Sequence, residues 1–318
     1  MRITNMMMVD TAIQNMADNL EKTNKLQTRV STLKQFQNVS DDPARASASL
    51  SLRSSLRTLE SYSDTAAVTQ NWMTASDNAL NQLEEISIRA SDLVLRGLND
   101  SFSGSERAVA MGTEMKSLID KAIEIGNTSV NGKFIFSGYQ VDQKAFELVD
   151  SPTTIVDYLG NTVTPKVVNY LGDQGSMQRN LGPDQSVNLN VRGDQAILGF
   201  IQNLVLASNA LTQNNVHNTN NPVTDPLTLQ SSLTGLQSSL TTINQFRTSN
   251  GAKLRQVETA SSFLETVKIE TKSLLSQKED TNLAEGIALL TNQQTTYQAV
   301  LEVSQRAISA LSLFDFMK

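Results

Sequence analysis

Residues 283–311, LAEGIALLTNQQTTYQAVLEVSQRAISAL, carry the pattern that decides the fold. Leu283, Ile287, Leu290, Gln294, Tyr297, Leu301, Ser304, Ile308 and Leu311 follow one another at alternating steps of four and three. That spacing puts them on one face of an α-helix, at the a and d positions of a heptad. Only Gln294 and Ser304 are polar, and a polar residue in such a stripe sets register at some cost in stability. A second stripe opens the chain. Val9, Ile13, Met16 and Leu20 step the same way, and Leu26, Val30, Leu33 and Phe36 resume it after a one-residue stutter. The spacing predicts a helix over 5–36. Matched stripes at the two ends predict that the chain folds back and pairs its first and last helices. The outer faces still hold Met6, Met7, Ala288, Val300 and Val303, which require further neighbours.

Between the ends the pattern changes twice. Asn38 to Pro43 is a break, in which Ser40 or Asp41 can cap the next helix and Pro43 fits its first turn. Asp41 and Asp42 favour the positive end of that helix dipole. A helix is expected over 43–98, with Leu80, Leu83, Ala90 and Leu93 on one face. Another is expected over 105–128, with Met111, Met115, Leu118, Ala122 and Ile125 in step. Lys133 to Tyr139 then reads as a strand after the turn Asn131-Gly132, and short β-type runs alternate with turn signals as far as Asp194. Helix returns over 196–211, the Asn-rich stretch 212–226 reads as a loop, and the rest is helical, nicked at Asn250-Gly251.

The expected fold is mainly α with a small β insertion. The N- and C-terminal segments form a long antiparallel helical rod or coiled coil, with the β domain at its far end. The expected divisions are 1–40 with 275–318 as terminal helices, 41–145 with 195–274 as a helical rod domain, and 146–194 as a β-rich outer domain.

Composition narrows the chemistry. The chain of 318 residues has a formal net charge of −6 and no basic block, which argues against a nucleic-acid partner. It has no cysteine and one histidine, His217, set in a polar loop. Thiol nucleophiles, Cys-ligated metal and His clusters are therefore excluded, and no enzymatic activity, cofactor or metal is expected. Asp41 and Asp42 read as capping rather than cation-binding residues, and Asn131-Gly132 as a turn rather than a phosphate loop. The first apolar run, Met6 to Val9, is too short for a secretory leader, and nothing approaches the length of a membrane span. Ser, Thr, Asn and Gln make up more than a third of the chain, and aromatics only 5%. That balance suits a long, thin subunit that buries its stripe against other copies better than it suits a compact enzyme.

Four segments carry a resemblance. Met1-Arg2-Ile3-Thr4 resembles the start of flagellins, and Ser40-Asp41-Asp42-Pro43-Ala44 resembles their break after the first helix. Gly132 to Tyr139, GKFIFSGY, followed by Phe146, is similar to a run in flagellar hook–filament junction proteins. TNLAE at 281–285, QQTTYQA at 293–299 and LSLFDF at 311–316 look like the terminal helix of the same group. One departure is Lys34-Gln35-Phe36-Gln37, where the family commonly has a glycine and a basic pair. The resemblance implies a structural role in the flagellin-like family. It implies a homo-oligomeric ring between hook-associated protein 1 and flagellin. It also implies passage from the cytosol through a type III export apparatus, with an export chaperone, to an extracellular flagellum. The assembly residues it implies are Val9, Ile13, Met16 and Leu20 of the first stripe and Leu283, Ile287, Leu290, Tyr297, Leu301, Ile308 and Leu311 of the last. A flagellin filament subunit stays open as an alternative, as does a homodimeric coiled-coil signalling or adhesion module.

Overall fold

The computed structural model describes residues 2–99, 101–157, 159–214 and 228–316; the side chains of 2–6, 8 and 307–316 are left aside. His217 lies outside the described residues. The chain divides into two compact units, one formed by 1–60 with 266–318 and one by 61–265.

In the first unit, helix α1 (Arg2–Thr32) pairs antiparallel with helix α7 (Leu283–Phe316). The same unit holds the start of α2 (Pro43–Gly97) and the end of α6 (Leu229–Glu279). The seam is a heptad, but its phase differs from the predicted one. The α1 residues turned inward are Val9, Ala12, Met16, Asn19, Thr23, Leu26 and Val30, at steps of three and four with no stutter. Their α7 counterparts are Gly286, Leu290, Gln293, Tyr297, Val300 and Ser304. Polar residues occupy the seam because they find partners there. Gln293 Nε2 donates to Asn19 Oδ1 at 3.0 Å, and Thr23 Oγ1 donates to the Asn19 carbonyl at 2.8 Å. Gly286 keeps the helices close, since a Cβ there would meet Val30 Cγ2 at 3.2 Å.

The second unit holds the larger core. Leu80, Leu83, Ala90 and Leu93 of α2 are all buried, as the 3.6-residue period predicts. A π-helical turn (Glu106–Met111) leads into α3 (Gly112–Gly126) where one continuous helix was expected. A short α4 (Gly193–Ala196) precedes α5 (Leu198–Gln213), and these pack with α3 and α6 around Met115, Phe200, Leu204 and Leu236. Arg107 is buried and closes the end of α2. Its Nε donates to the Gly97 carbonyl at 2.8 Å and its Nη2 to the Asn99 carbonyl at 2.9 Å. The Gly97 carbonyl is one that a helix end leaves without a partner, and the Asn99 carbonyl lies in the turn that follows.

The strands are short and all antiparallel: β1 (Ser129–Val130) with β2 (Lys133–Phe134), β3 (Phe146–Asp150) with β6 (Lys166–Tyr170), β4 (Ile155–Val156) with β5 (Thr162–Val163), and β7 (Gln178–Gly182) with β8 (Gln185–Asn188). Asn131 and Gly132 have φ of +53° and +76°, the left-handed pair that a two-residue hairpin demands.

Two expectations fail here. The predicted strand 133–139 pairs only at Lys133 and Phe134, because Ile135 and Phe136 turn into the core and Ser137-Gly138-Tyr139 is a turn clamped from elsewhere. Asp173 Oδ1 accepts from the amides of Tyr139 (2.8 Å) and Gly175 (2.7 Å), and Gly138 has φ of +72°. Helix α6 runs through Asn250-Gly251 unbroken, since buried Asn250 gives its side-chain amide to the Met73 carbonyl at 2.9 Å. Strands and helices share their cores. Phe146, Val168 and Leu189 join the helical core, while Leu181 and Val187 of the β7–β8 hairpin pack on Met73, Val257 and Ala260.

Candidate assembly site at the paired termini

Two interruptions of helix meet in the first unit. Helix α1 ends at Thr32, four residues short of the predicted end, because Leu33 takes a φ of +57°. Helix α6 ends at Glu279 and α7 begins at Leu283. The interrupted segments hold each other: the Gln35 amide donates to the Glu279 carbonyl at 2.7 Å, and the Thr281 amide to the Leu33 carbonyl at 2.9 Å. Lys34 and Asp280 lie opposite one another as an antiparallel bridge.

Side chains reinforce this crossing. Glu279 is the buried centre, its side chain only 5% exposed. Arg53 grips it with two parallel bonds, Nε to Oε1 and Nη2 to Oε2, each 2.7 Å. Lys34 Nζ reaches Glu279 Oε2 at 3.2 Å and Asp280 Oδ1 at 2.6 Å. The Arg53 hydrogen bonds, ahead of those from Lys34, hold the Glu279 carboxyl below its usual range although burial opposes them. Lys34, and then Ser276, do the same for Asp280, and Asp280 in turn raises the Lys34 ammonium. A two-pronged guanidinium–carboxylate pair is the geometry best able to keep a carboxylate out of water. This network escaped the sequence reading. A signal for it exists: Glu279 and Asp280 sit at a helix C-terminus, the dipole end that disfavours carboxylates, so they require cations supplied from elsewhere.

The break between α1 and α2 divides its work among the predicted residues. Asp42, not Ser40 or Asp41, is the cap: its Oδ1 accepts from the Arg45 amide at 3.0 Å, with Pro43 in the first turn. Asp41 secures the approach instead. Its Oδ2 accepts from the amides of Asn38 (3.0 Å) and Gln37 (3.3 Å), which hold its carboxyl below the ordinary range. Ser40 is exposed. Asn282 caps α7 through the Ala284 amide at 3.1 Å.

Of the residues placed on the terminal stripes, Val9, Met16, Leu290 and Tyr297 line the seam within the chain. Ile13, Leu20, Leu283, Ile287 and Leu301 do not; they are 52%, 44%, 48%, 48% and 39% exposed. Ile308 and Leu311 lie on the described helix, beyond the described side chains. The seam thus uses smaller and more polar residues, and larger apolar ones face outward on both helices. Met7, Ala12, Val300 and Val303 also line a groove of about 640 Å³ between α1 and α7. Among the described residues no cluster of His, Cys, Asp or Glu could hold a metal, and no helix is long and apolar enough to cross a membrane.

Residues 3–141 match the bacterial flagellin N-terminal helical region. The chain is 21% identical to flagellar hook-associated protein 3 of Escherichia coli K12, across 100% of both chains. It is 24% identical to flagellar hook-associated protein 3 of Salmonella typhimurium LT2, across 94% of each. Its fold is similar to that of a protein from Vibrio parahaemolyticus described as a flagellar hook-associated protein. The TM-score is 0.60 at 17% identity, covering 76% of this chain and all of that one. The resemblance carried by the four sequence segments is borne out, and so is the mainly helical fold with small antiparallel strands.

Proposed function

We propose that this chain is a structural subunit of the bacterial flagellum, placed where the hook side gives way to the flagellin filament. Similarity over 94–100% of two proteins named flagellar hook-associated protein 3 supports this role over that of a filament subunit or a signalling coiled coil. The observation that carries the mechanism is the outward apolar stripe. Ile13, Leu20, Leu283, Ile287 and Leu301 stand in solvent on a pair of helices whose own seam is partly polar. In water such a stripe exposes apolar area worth about 25 cal/mol per Å² once covered, and copies of the same pair are suited to cover it.

In this reading the terminal segments 1–40 and 275–318 pack against neighbouring copies in a ring. Hook-associated protein 1 lies on one side of that ring and flagellin on the other. The subunit leaves the cytosol through the type III export apparatus, accompanied by an export chaperone, and works outside the cell. The clamp at Glu279 sets the exit direction of both terminal helices and so presents their stripes together.

Electron microscopy of cells lacking the chain tests the reading. Hooks without filaments, restored by the wild-type chain, are the expected result. Normal filaments, or loss of the hooks themselves, would refute a junction role.

A further inference from the structure

The sequence contains two Asn-Gly dipeptides, and the fold treats them oppositely. We propose that Asn131 is a site of spontaneous main-chain-assisted deamidation and that Asn250 is protected from it. Asn131 is exposed at the tip of the β1–β2 hairpin, and among the described residues no hydrogen bond holds its side-chain amide. Gly132 presents no side chain to hinder its own nitrogen, and a Cβ there would meet nothing within 4 Å. The hairpin has only two residues in each strand, and a ladder that short opens at little cost. Asn250 is 1% exposed in the interior of α6, and its Nδ2 is committed to the Met73 carbonyl at 2.9 Å. Bringing the Gly251 nitrogen onto its side chain requires unwinding a packed helix.

The chemistry follows from the exposed geometry. The Gly132 main-chain nitrogen attacks Cγ of Asn131 and gives its proton to a solvent base. The new N–Cγ bond closes a five-membered succinimide, the Cγ–Nδ2 bond breaks, and the amide nitrogen leaves as ammonia after taking a proton from water. Water then adds to one of the two ring carbonyls. Opening at one carbonyl gives an aspartyl residue and opening at the other an isoaspartyl residue with an extra methylene in the main chain; both carry a new negative charge. The isoaspartyl form cannot keep the two-residue turn. The next residues, Phe134 and Ile135, would lose their amide bonds to the Val141 and Thr128 carbonyls, now 2.8 and 3.1 Å.

The test is storage of the full-length chain at mildly alkaline pH, followed by peptide mapping and enzymatic methylation of isoaspartyl groups. Conversion at Asn131 should exceed that at Asn250 by at least about tenfold in the native state. In concentrated urea the two sites should converge to within about threefold, because the dipeptides are the same. Hydrogen exchange at Phe134 and Ile135 should rise in step with conversion. Asn131→Gln, which lengthens the ring to be closed, should abolish the modification at this position. Native conversion at Asn131 no faster than at Asn250, or a preference that survives urea undiminished, would overturn the proposal.

Discussion

Truncating Arg53 should weaken the crossing of the two breaks more than neutralising Glu279, the carboxylate that Arg53 holds. The asymmetry follows from where each charge sits. The Glu279 side chain is 5% exposed, whereas those of Arg53 and Lys34 are 52% and 44% exposed. In Glu279→Gln the two cations return to water almost freely, and the loss is that of charge-assisted hydrogen bonds, about 1.5–3 kcal/mol. In Arg53→Ala the carboxylate stays buried with Lys34 alone at 3.2 Å. Removing one partner of a buried pair typically costs about 3–5 kcal/mol. Native-state hydrogen exchange at the Gln35 and Thr281 amides reads the crossing directly, since both bond across it. A gap of about 2 kcal/mol between the variants appears as roughly thirtyfold in exchange protection. The sign of the pH dependence is also determined. Glu279 titrates lower folded than unfolded, so the unfolded state binds more protons between the two values. The contribution is complete above the ordinary glutamate value, about 4.3, and is lost as pH falls through the depressed folded value. Glu279→Gln should flatten that dependence. Equal or greater loss of protection in Glu279→Gln than in Arg53→Ala would refute the claim that burial of the carboxylate governs the site.

Leu301→Asp should alter the melting of purified chain by less than about 0.5 kcal/mol, because Leu301 faces solvent, yet leave exported subunit free in the medium without filaments; normal filaments would show that the outward stripe is not an interface. Leu290→Asp, on the seam, should instead loosen the α1–α7 pair of the isolated chain by about 1–3 kcal/mol, read by exchange along both helices. Gly126→Ala should lower the melting temperature of the 61–265 unit by an amount corresponding to about 1–3 kcal/mol, since its Cβ would stand 2.7 Å from the Phe146 ring. Limited proteolysis of dilute chain should trim residues 1–40 and 280–318 before the middle, because a two-helix seam with Asn19, Thr23 and Ser304 in it buries little; uniform resistance would contradict this.

The helices were legible because long amphipathic segments repeat one signal many times; the phase of the terminal seam was not. Choosing the most apolar residues selects Ile13 and Leu20 and forces a stutter, while the actual seam continues through Ala12, Asn19 and Thr23. Asn19 belongs inside only because Gln293 meets it, and one helix read by itself does not reveal that. The same limit explains Asn250-Gly251, a turn signal overridden by a carbonyl on another helix, and Ser137-Gly138-Tyr139, whose clamp at Asp173 lies far along the chain. Capping was closer to hand. Asp41 and Asp42 were recognised together, and only the backbone path around them decides which one caps.

The bridge between the two breaks has a consequence for the order of events in the chain's lifetime. Lys34 and Glu279 are 245 positions apart in sequence. During synthesis α1 is made first but has no partner until nearly the whole polypeptide exists. The 61–265 unit is one uninterrupted stretch, complete before α7 exists, so its contacts close shorter loops at lower entropic cost. The terminal pair is therefore the last part to form and, being joined late and thinly, the first to let go.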